Sequence, residues 1–211
     1  MPKRLITDAT GVTRCFWCMS DPLYRDYHDR EWGFPVLDDT RLFEKICLEG
    51  FQAGLSWLTI LKKREHFREA FHGFDIERVA RMTSRDVTRL LGNAGIVRHR
   101  GKIESTINNA KRAIELIEDE GSIAHHVWRL APEPLTAAER VSKVTWPTLQ
   151  QPTSPQSITL SKDLRKRGWT FVGPTTMHAF MQAMGLFNHH LTGCDARQRA
   201  EAARKRTKPP A

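Results

Sequence analysis

The sequence lacks any uninterrupted run of about 18–20 apolar residues, the length that a membrane-spanning helix needs. The segment from Met1 to Thr10 also lacks the apolar core of a secretion signal. Only four of the 211 residues are cysteines, too few for a disulfide scaffold in a chain of this length. We therefore expect a cytoplasmic protein with no membrane association, whose cysteines are buried, catalytic or metal-bound.

Internal repeats and convincing strand patterns are also missing, whereas helical spacing recurs along most of the chain. The clearest apolar stripe consists of Ile103, Ile107, Ala110, Ile114 and Ile117. Ser56 and Thr83 are candidate helix N-caps, and Pro174 suits a first helical turn. Gly50 and Gly54 are expected to interrupt a helix. The pattern predicts an all-α fold.

The length suits one domain, and composition shifts mark its ends. We predict an N-terminal extension at 1–13, a single domain at 14–196 and a basic tail at 197–211, for which disorder is one interpretation. Prolines concentrate within 131–156, which predicts an irregular, proline-rich loop inside the domain.

The net charge of +9 and the isoelectric point of about 9.7 favour a polyanionic partner such as nucleic acid. More than half of this excess lies in the tail, so the charge alone leaves the partner open. The segment around Gly173, Thr175 and Thr176 predicts exposed backbone N–H groups at a helix N-terminus, where a phosphate could bind. Such turns are common in helical proteins, and this signal is weak by itself.

Two cysteines and two histidines have a composition that suits a tetrahedral zinc ion. His190 and Cys194 are four residues apart, and Cys15 and His28 lie near the other end of the chain. A zinc ion bound by all four would join the N- and C-terminal segments. Alternatively, Cys18 or His189 could compete for the metal, or all these side chains could simply be buried.

Aromatic residues cluster in the first third of the chain, together with one carboxylate on an apolar helix face. The aromatic residues are Trp17, Tyr24, Tyr27, Trp32 and Trp57. They could form part of the core, or they could stack on a flat and cationic ligand. Glu49 lies among apolar residues and glycines, one turn after Lys45. It could be a surface residue, or it could accept hydrogen bonds from an amino group in a pocket.

Taken together and in order, several segments resemble the DNA-3-methyladenine glycosylase I family. These segments are RCFW, DPLYRDYHDREWG, LFEKICLEGFQAGLSW, ILKKRE, NAGIVRHRGKI, FVGPTT, FMQAMG and NHHLTGC. The resemblance covers residues 14 to 194. It implies a helix–hairpin–helix glycosylase fold and a monofunctional enzyme that excises 3-methyladenine from alkylated double-stranded DNA. The products would be the free base and an abasic site.

The resemblance also assigns roles to individual residues. It implies a structural Zn²⁺ held by Cys15, His28, His190 and Cys194. It implies a base pocket containing Glu49 with Tyr27 and Trp57, and further walls from Trp32, Trp17 and Tyr24. It implies DNA contacts by Gly54 and Leu55 and by the hairpin that contains Gly173, Thr175 and Thr176.

Some properties stay open at this level. No carboxylate follows Met184 until Asp195, so we expect no strong catalytic carboxylate after the hairpin. A monomer is the default expectation. One alternative is a zinc-stabilised, non-catalytic DNA-binding module, and another is a helical protein-interaction domain. The DNA-binding module would not need a carboxylate among aromatic residues, and the interaction domain would show no dependence on alkylated DNA.

Overall fold

Helices make up most of the described chain, in agreement with the helical spacing of its apolar residues. The computed structural model describes residues 4–132, 144–208 and 210. The α-helices in these ranges are α1 (Pro22–Arg30), α2 (Asp39–Gln52), α3 (Trp57–Lys62), α4 (Arg64–Ala70), α5 (Ile76–Ala80), α6 (Ser84–Leu91), α7 (Arg100–Glu120), α8 (Ile123–Trp128), α9 (Trp146–Leu149), α10 (Pro155–Lys166), α11 (Pro174–Ala183) and α12 (Asp195–Arg206). Short 3₁₀ helices cover Phe16–Ser20 and His72–Phe74.

Side-chain caps start several helices where the sequence predicts them. The Ser56 hydroxyl accepts a hydrogen bond from the Thr59 N–H at 3.2 Å and begins α3. Thr83 and Asp86 form a capping box at the start of α6. Pro174 occupies the first turn of α11, where its missing N–H costs nothing.

The predicted interruption of α2 at Gly50 is wrong, because the helix continues to Gln52. Gly50 serves packing instead. A Cβ atom at this position would lie 3.2 Å from the Cβ of Phe171, so the missing side chain lets the turn before α11 approach the helix closely. Gly54, in contrast, has a φ of +82° and lies in the turn that follows α2. This left-handed conformation favours glycine.

The all-α expectation missed a small antiparallel hairpin at the N-terminus. Strand β1 (Leu5–Thr7) pairs with β2 (Thr13–Cys15), and Leu5 lies opposite Cys15. Strands of three residues are too short to produce a readable alternation of apolar and polar residues. The hairpin places Cys15 at the end of β2 in the protein interior, so the described part of the predicted extension belongs to the folded body.

The basic C-terminal segment also differs from the interpretation as a disordered tail. It forms α12 through Arg206, with Ala196 and Ala200 buried on one face of the helix. These alanines are four residues apart and therefore share a face. Arg204 donates a hydrogen bond to the Gly185 carbonyl at 2.7 Å, which anchors the helix to the end of α11.

The core is built around α2, in which ten consecutive residues from Leu42 to Phe51 are buried. This helix packs against α7, α8 and α11. Within the predicted proline-rich loop, the structure places α9 and the start of α10, while 133–143 lie outside the described residues. Across the ranges described, none of the helices combines the length and the apolar character required to cross a membrane.

Candidate functional site

A cavity of about 230 Å³ opens beside the C-terminal half of α2. All five predicted aromatic residues and Glu49 line it, although they come from three separate parts of the chain. The remaining lining residues are Gln52, Trp146, Leu149, Ala179 and Gln182. Because pockets for drug-sized ligands occupy roughly 300–1,000 Å³, this cavity suits a single flat ring system.

The aromatic walls contact one another mostly edge to face, which fixes their orientations. The ring of Trp17 lies 4.8 Å from that of Tyr24 and 5.1 Å from that of Trp32, between centroids. Tyr27 and Trp57 are tilted by 44° with centroids 5.4 Å apart. The side chain of Trp57 is buried, and its Nε1–H has no partner among the described residues. An unpaired buried donor in a cavity wall is available to an acceptor on a ligand.

Glu49 is 5% exposed and is therefore not the surface residue that one sequence interpretation allowed. Its Oε1 atom lies 2.9 Å from Nζ of Lys45, one helical turn earlier. Lys45 also donates to the Tyr27 hydroxyl at 2.8 Å. The sequence shows the spacing of Lys45 and Glu49 but assigns no role to Lys45.

A second cluster joins the two ends of the chain. One ligand atom each from Cys15, His28 and Cys194 lies within 4.8 Å of the others, and all three side chains are buried. Nδ1 of His28 is 2.8 Å from a carboxylate oxygen of Asp29. A carboxylate on one ring nitrogen orients the imidazole and leaves Nε2 to bind a metal.

The fourth predicted ligand, His190, is buried beside this cluster. It does not belong to the group of three residues whose ligand atoms all lie within 4.8 Å of one another. Its ring centroid lies 4.8 Å from that of His28, and its Nδ1 atom lies 3.1 Å from Oδ1 of Asn188. Burial lowers the pKa of His190 to about 3, so the ring is neutral, which is the form that binds metals. Gly33 makes room for the ring, since a Cβ there would lie 2.8 Å from its Cε1 atom.

The chemistry of these donors fits a zinc ion. The hydrogen bond between the two sulfur atoms lowers the pKa of Cys194 and raises that of Cys15, so the pair readily exists with one thiolate. Thiolate and imidazole are the ligand types of structural zinc sites. Cys18 is also buried, but its thiol donates to the Cys15 carbonyl at 3.1 Å. Cys18 also interacts with the side chain of His28, so it lies beside the cluster and stays an alternative ligand.

The turn between α2 and α3 carries the predicted DNA-contacting residues Gly54 and Leu55. Both are exposed, and the side chain of Leu55 is 42% accessible. The ammonium of Lys102 donates to the carbonyls of Phe51 at 2.8 Å and of Ala53 at 2.6 Å. These bonds fix the end of α2 and therefore the direction in which the exposed turn projects.

The hairpin before α11 brings the other predicted DNA-contacting residues to the same region. Gly173 is the N-cap of α11 and Thr175 is exposed in its first turn, with Thr176 half-buried beside it. Phe171, in the preceding turn, approaches Gly50, the residue after Glu49. The cavity, the exposed turn and the hairpin thus surround the C-terminal end of α2.

Sequence reasoning missed several lining residues, for identifiable reasons. Trp146 and Leu149 come from the proline-rich stretch, where no periodic pattern indicated a helix. Gln182 lies on the apolar helix α11, and its amide contacts Nδ1 of His189 at 2.8 Å and Nε2 of His178 at 3.2 Å. Only the packing of α9 and α11 against the aromatic cluster reveals these contributions.

A separate groove of about 520 Å³ lies between the first turn of α2, α5 and α7. Its lining includes Ile76, Ile114 and Ile117, with acidic residues around them. None of the candidate site residues contributes to this groove, so its larger volume does not make it the candidate site.

Comparisons with known proteins agree with this geometry. The family model described as "Methyladenine glycosylase" matches residues 17–198. DNA-3-methyladenine glycosylase 1 of Escherichia coli is 48% identical over 187 residues, which cover 87% of this chain and 96% of that protein. DNA-3-methyladenine glycosylase of Haemophilus influenzae is 44% identical over 183 residues, with coverage of 87% and 97%.

Solved structures give the same result. A crystal structure of 3-methyladenine DNA glycosylase I has a TM-score of 0.80 at 48% identity and covers 86% of this chain and 98% of its own. The Staphylococcus aureus enzyme has a TM-score of 0.80 at 37% identity, with coverage of 87% and 96%. Another 3-methyladenine DNA glycosylase I, solved with 3-methyladenine bound, has a TM-score of 0.77 at 35% identity, with coverage of 87% and 97%. This chain belongs to the methyladenine glycosylase family.

Proposed function

We propose that this protein excises 3-methyladenine from alkylated double-stranded DNA by hydrolysing the N-glycosidic bond. The observation that carries the proposal is the cavity in which Glu49 lies among six aromatic side chains. The products are free 3-methyladenine and an abasic site. We propose further that the protein acts as a monomer.

The cavity chemistry matches a cationic purine. Methylation at N3 gives adenine a positive charge and weakens its glycosidic bond, so the leaving group is activated before binding. Aromatic faces attract such a cation. The carboxylate of Glu49 accepts a hydrogen bond from the exocyclic amino group and stabilises charge in a site that excludes water.

The reaction needs the base outside the duplex, because a stacked base cannot reach the cavity. The hairpin at Gly173 binds backbone phosphates through N–H groups at the start of α11, as in a helix–hairpin–helix motif. Leu55 fills the gap that the extruded nucleotide leaves. Breakage of the glycosidic bond returns its electron pair to the base, which becomes neutral. Water then adds to the sugar carbon and loses a proton.

In this proposal Zn²⁺ has a structural role. Cys15, His28, His190 and Cys194 would hold it, and it would supply a crosslink between the N- and C-terminal segments rather than reaction chemistry. None of these four residues lines the cavity. Trp17 and Trp32 separate the two sites, since they contact the ring of His28 at centroid distances of 5.1 and 6.2 Å.

Release of free 3-methyladenine from methylated duplex DNA tests the function directly. We expect release by the parent protein and a loss of about 100-fold or more in Glu49→Gln and Trp57→Ala. Zinc content and thermal unfolding of the variants serve as controls for folding. A pure DNA-binding module would release no base and would bind DNA equally well after Glu49→Gln. No release from the folded, zinc-loaded parent would contradict the proposed function.

A further inference from the structure

Lys45 is a buried cation that touches three walls of the cavity without lining the cavity itself. It is 5% exposed. Its Nζ atom lies 2.9 Å from Oε1 of Glu49 and 2.8 Å from the Tyr27 hydroxyl. The same atom lies 3.1 Å from the ring centroid of Trp57.

These contacts satisfy the ammonium group of Lys45 completely. An ammonium has three N–H donors, and here a carboxylate, a hydroxyl and an aromatic face each receive one. A buried charge is retained only when it is paired and hydrogen-bonded. The contacts of Lys45 with Glu49, Tyr27 and Trp57 are therefore formed before any base binds.

Two consequences follow for a base in the cavity. First, Lys45 engages Oε1 of Glu49, which leaves Oε2 to accept a hydrogen bond from the base. Second, the ammonium covers one face of the Trp57 indole, so only the opposite face can stack on a base. Lys45 thus restricts both the orientation of the carboxylate and the stacking surface.

Next to Lys45, two arginines pair with two glutamates. Arg64 donates to Glu31 through two hydrogen bonds of 2.7 and 2.9 Å. Arg68 pairs with Glu44 at 2.9 Å. Arg41 also lies on this side of the pocket, but Lys45 is the cation whose ammonium contacts the Glu49 carboxylate. Without Lys45, the buried carboxylate would lack this partner.

We propose that Lys45 is the positioning residue of the base pocket, which holds the Glu49 carboxylate through Oε1 and aims its free oxygen at the base. This inference rests on the proposed function for its activity test. It adds a specific dependence of that activity on the Lys45 ammonium. Lys45 is not a catalytic residue, because it acts through Glu49, Tyr27 and Trp57.

Further charged or titratable groups surround the pair. They are Tyr24, Tyr27, Glu31, Arg41, Glu44, Arg64 and Arg68. Burial lowers the pKa of Lys45, and the contact with Glu49 opposes this effect. Burial raises the pKa of Tyr24 to about 12 and that of Tyr27 well above its ordinary value. Burial opposes ionisation of Glu31, but Arg64 lowers its pKa overall.

The variant Lys45→Met removes the ammonium and keeps an unbranched side chain of similar length. We expect kcat/KM to fall by about tenfold or more, because the Glu49 carboxylate loses the hydrogen bond that orients it. Lys45→Arg keeps a cationic donor at this position and should lose less.

A double-mutant cycle separates positioning from a general structural role. In a Glu49→Gln background, Lys45→Met should have a much smaller effect on kcat/KM than in the parent, since its partner charge is absent. The affinity for free 3-methyladenine, measured by tryptophan fluorescence in the parent and in Lys45→Met, gives a readout that does not require activity, and we expect it to weaken by about tenfold in the variant. A parent that releases no base but binds 3-methyladenine more tightly than Lys45→Met does would refute the function and keep the positioning role.

The opposite results overturn the proposal. A loss of kcat/KM in Lys45→Met that persists in full in the Glu49→Gln background would indicate a structural role only. An unchanged affinity for free 3-methyladenine in Lys45→Met would show that Lys45 does not orient the carboxylate. Full activity of Lys45→Met would show that the pocket does not depend on the ammonium. Thermal unfolding verifies that each variant is folded.

Discussion

Nε2 of His28 lies 3.6 Å from Sγ of Cys194, although 166 positions separate these residues in the sequence. The contact joins α1 to the start of α12. A crosslink that closes so long a loop restricts the unfolded chain far more than the folded one. The pair is therefore the natural place to test whether a metal holds the termini together.

Removal of the proposed metal should destabilise the protein. We expect one zinc ion per chain and a fall in Tm of about 5 °C or more on chelation, because metal binding and folding are coupled. His190→Ala should lower both zinc content and Tm. His189→Ala is the matched control, since His189 contacts Gln182 instead of the cluster, and it should keep the metal. Stoichiometric zinc in His190→Ala would exclude His190 as a ligand.

Asp195→Asn should retain nearly full glycosylase activity. Oδ2 of Asp195 accepts a hydrogen bond from the Thr13 N–H at 2.8 Å, which ties the first turn of α12 to β2. An asparagine oxygen can accept the same bond. We expect a change in kcat of less than about twofold and a loss of stability of about 1 kcal/mol or less. A large fall in kcat with zinc retained would make Asp195 a catalytic residue.

Leu55→Ala should impair the reaction on duplex DNA but not the affinity for free 3-methyladenine. Leu55 is 42% exposed at the tip of a fixed turn and does not line the cavity. Because an extruded nucleotide costs a few kcal/mol of stacking and pairing, we expect kcat/KM on duplex DNA to fall by about tenfold. Ile6→Ala is the control, since Ile6 is similarly exposed, at 39%, on β1. Equal losses in both variants would contradict this role.

Protein stability should fall with pH below about 6.5, in part because of His178. Burial lowers the pKa of His178 in the folded state. Above the unfolded pKa neither state is protonated, so the group contributes no pH dependence. Below it the unfolded chain binds a proton that the folded chain rejects, so the free energy of unfolding decreases, by at most about 1.4 kcal/mol per pH unit.

The variant His178→Gln should flatten this dependence, which urea unfolding between pH 7 and pH 5 would measure. His66→Gln, at an exposed position, is the control for the histidine-to-glutamine substitution itself. A parent and a His178→Gln variant with the same slope would show that His178 takes up its proton equally in both states.

Local signals in the sequence predicted much of the helical fold. Caps such as Ser56 and the Thr83–Asp86 pair depend on neighbours within four residues, and the structure confirms them. The β1–β2 hairpin and α12 were missed for different reasons. Strands of three residues carry too little pattern, whereas α12 is mostly charged and depends on two buried alanines to dock.

The sequence indicated the site residues whose type suggests a chemical role. It did not indicate those whose place in the site depends on tertiary packing. Glu49 and the aromatic residues stood out by their composition, and the structure places them around one cavity. Lys45 did not stand out, because a lysine four residues before a glutamate is common on exposed helices. Its burial follows from the packing of α3 against α2 and from the contact with Tyr27, which no local pattern encodes.

Two tryptophans lie between the cavity and the cluster of Cys15, His28 and Cys194, so intrinsic fluorescence can report on both sites. Trp32 lines the cavity and its ring lies 4.8 Å from that of His190, while Trp17 lines the cavity and contacts His28. A change on either side alters the surroundings of the same indoles. Fluorescence should therefore register the binding of a base and the removal of the proposed metal ion without any added label. The two signals should differ, because a base would contact these rings from the cavity, whereas the proposed metal ion would act through the histidines that they contact.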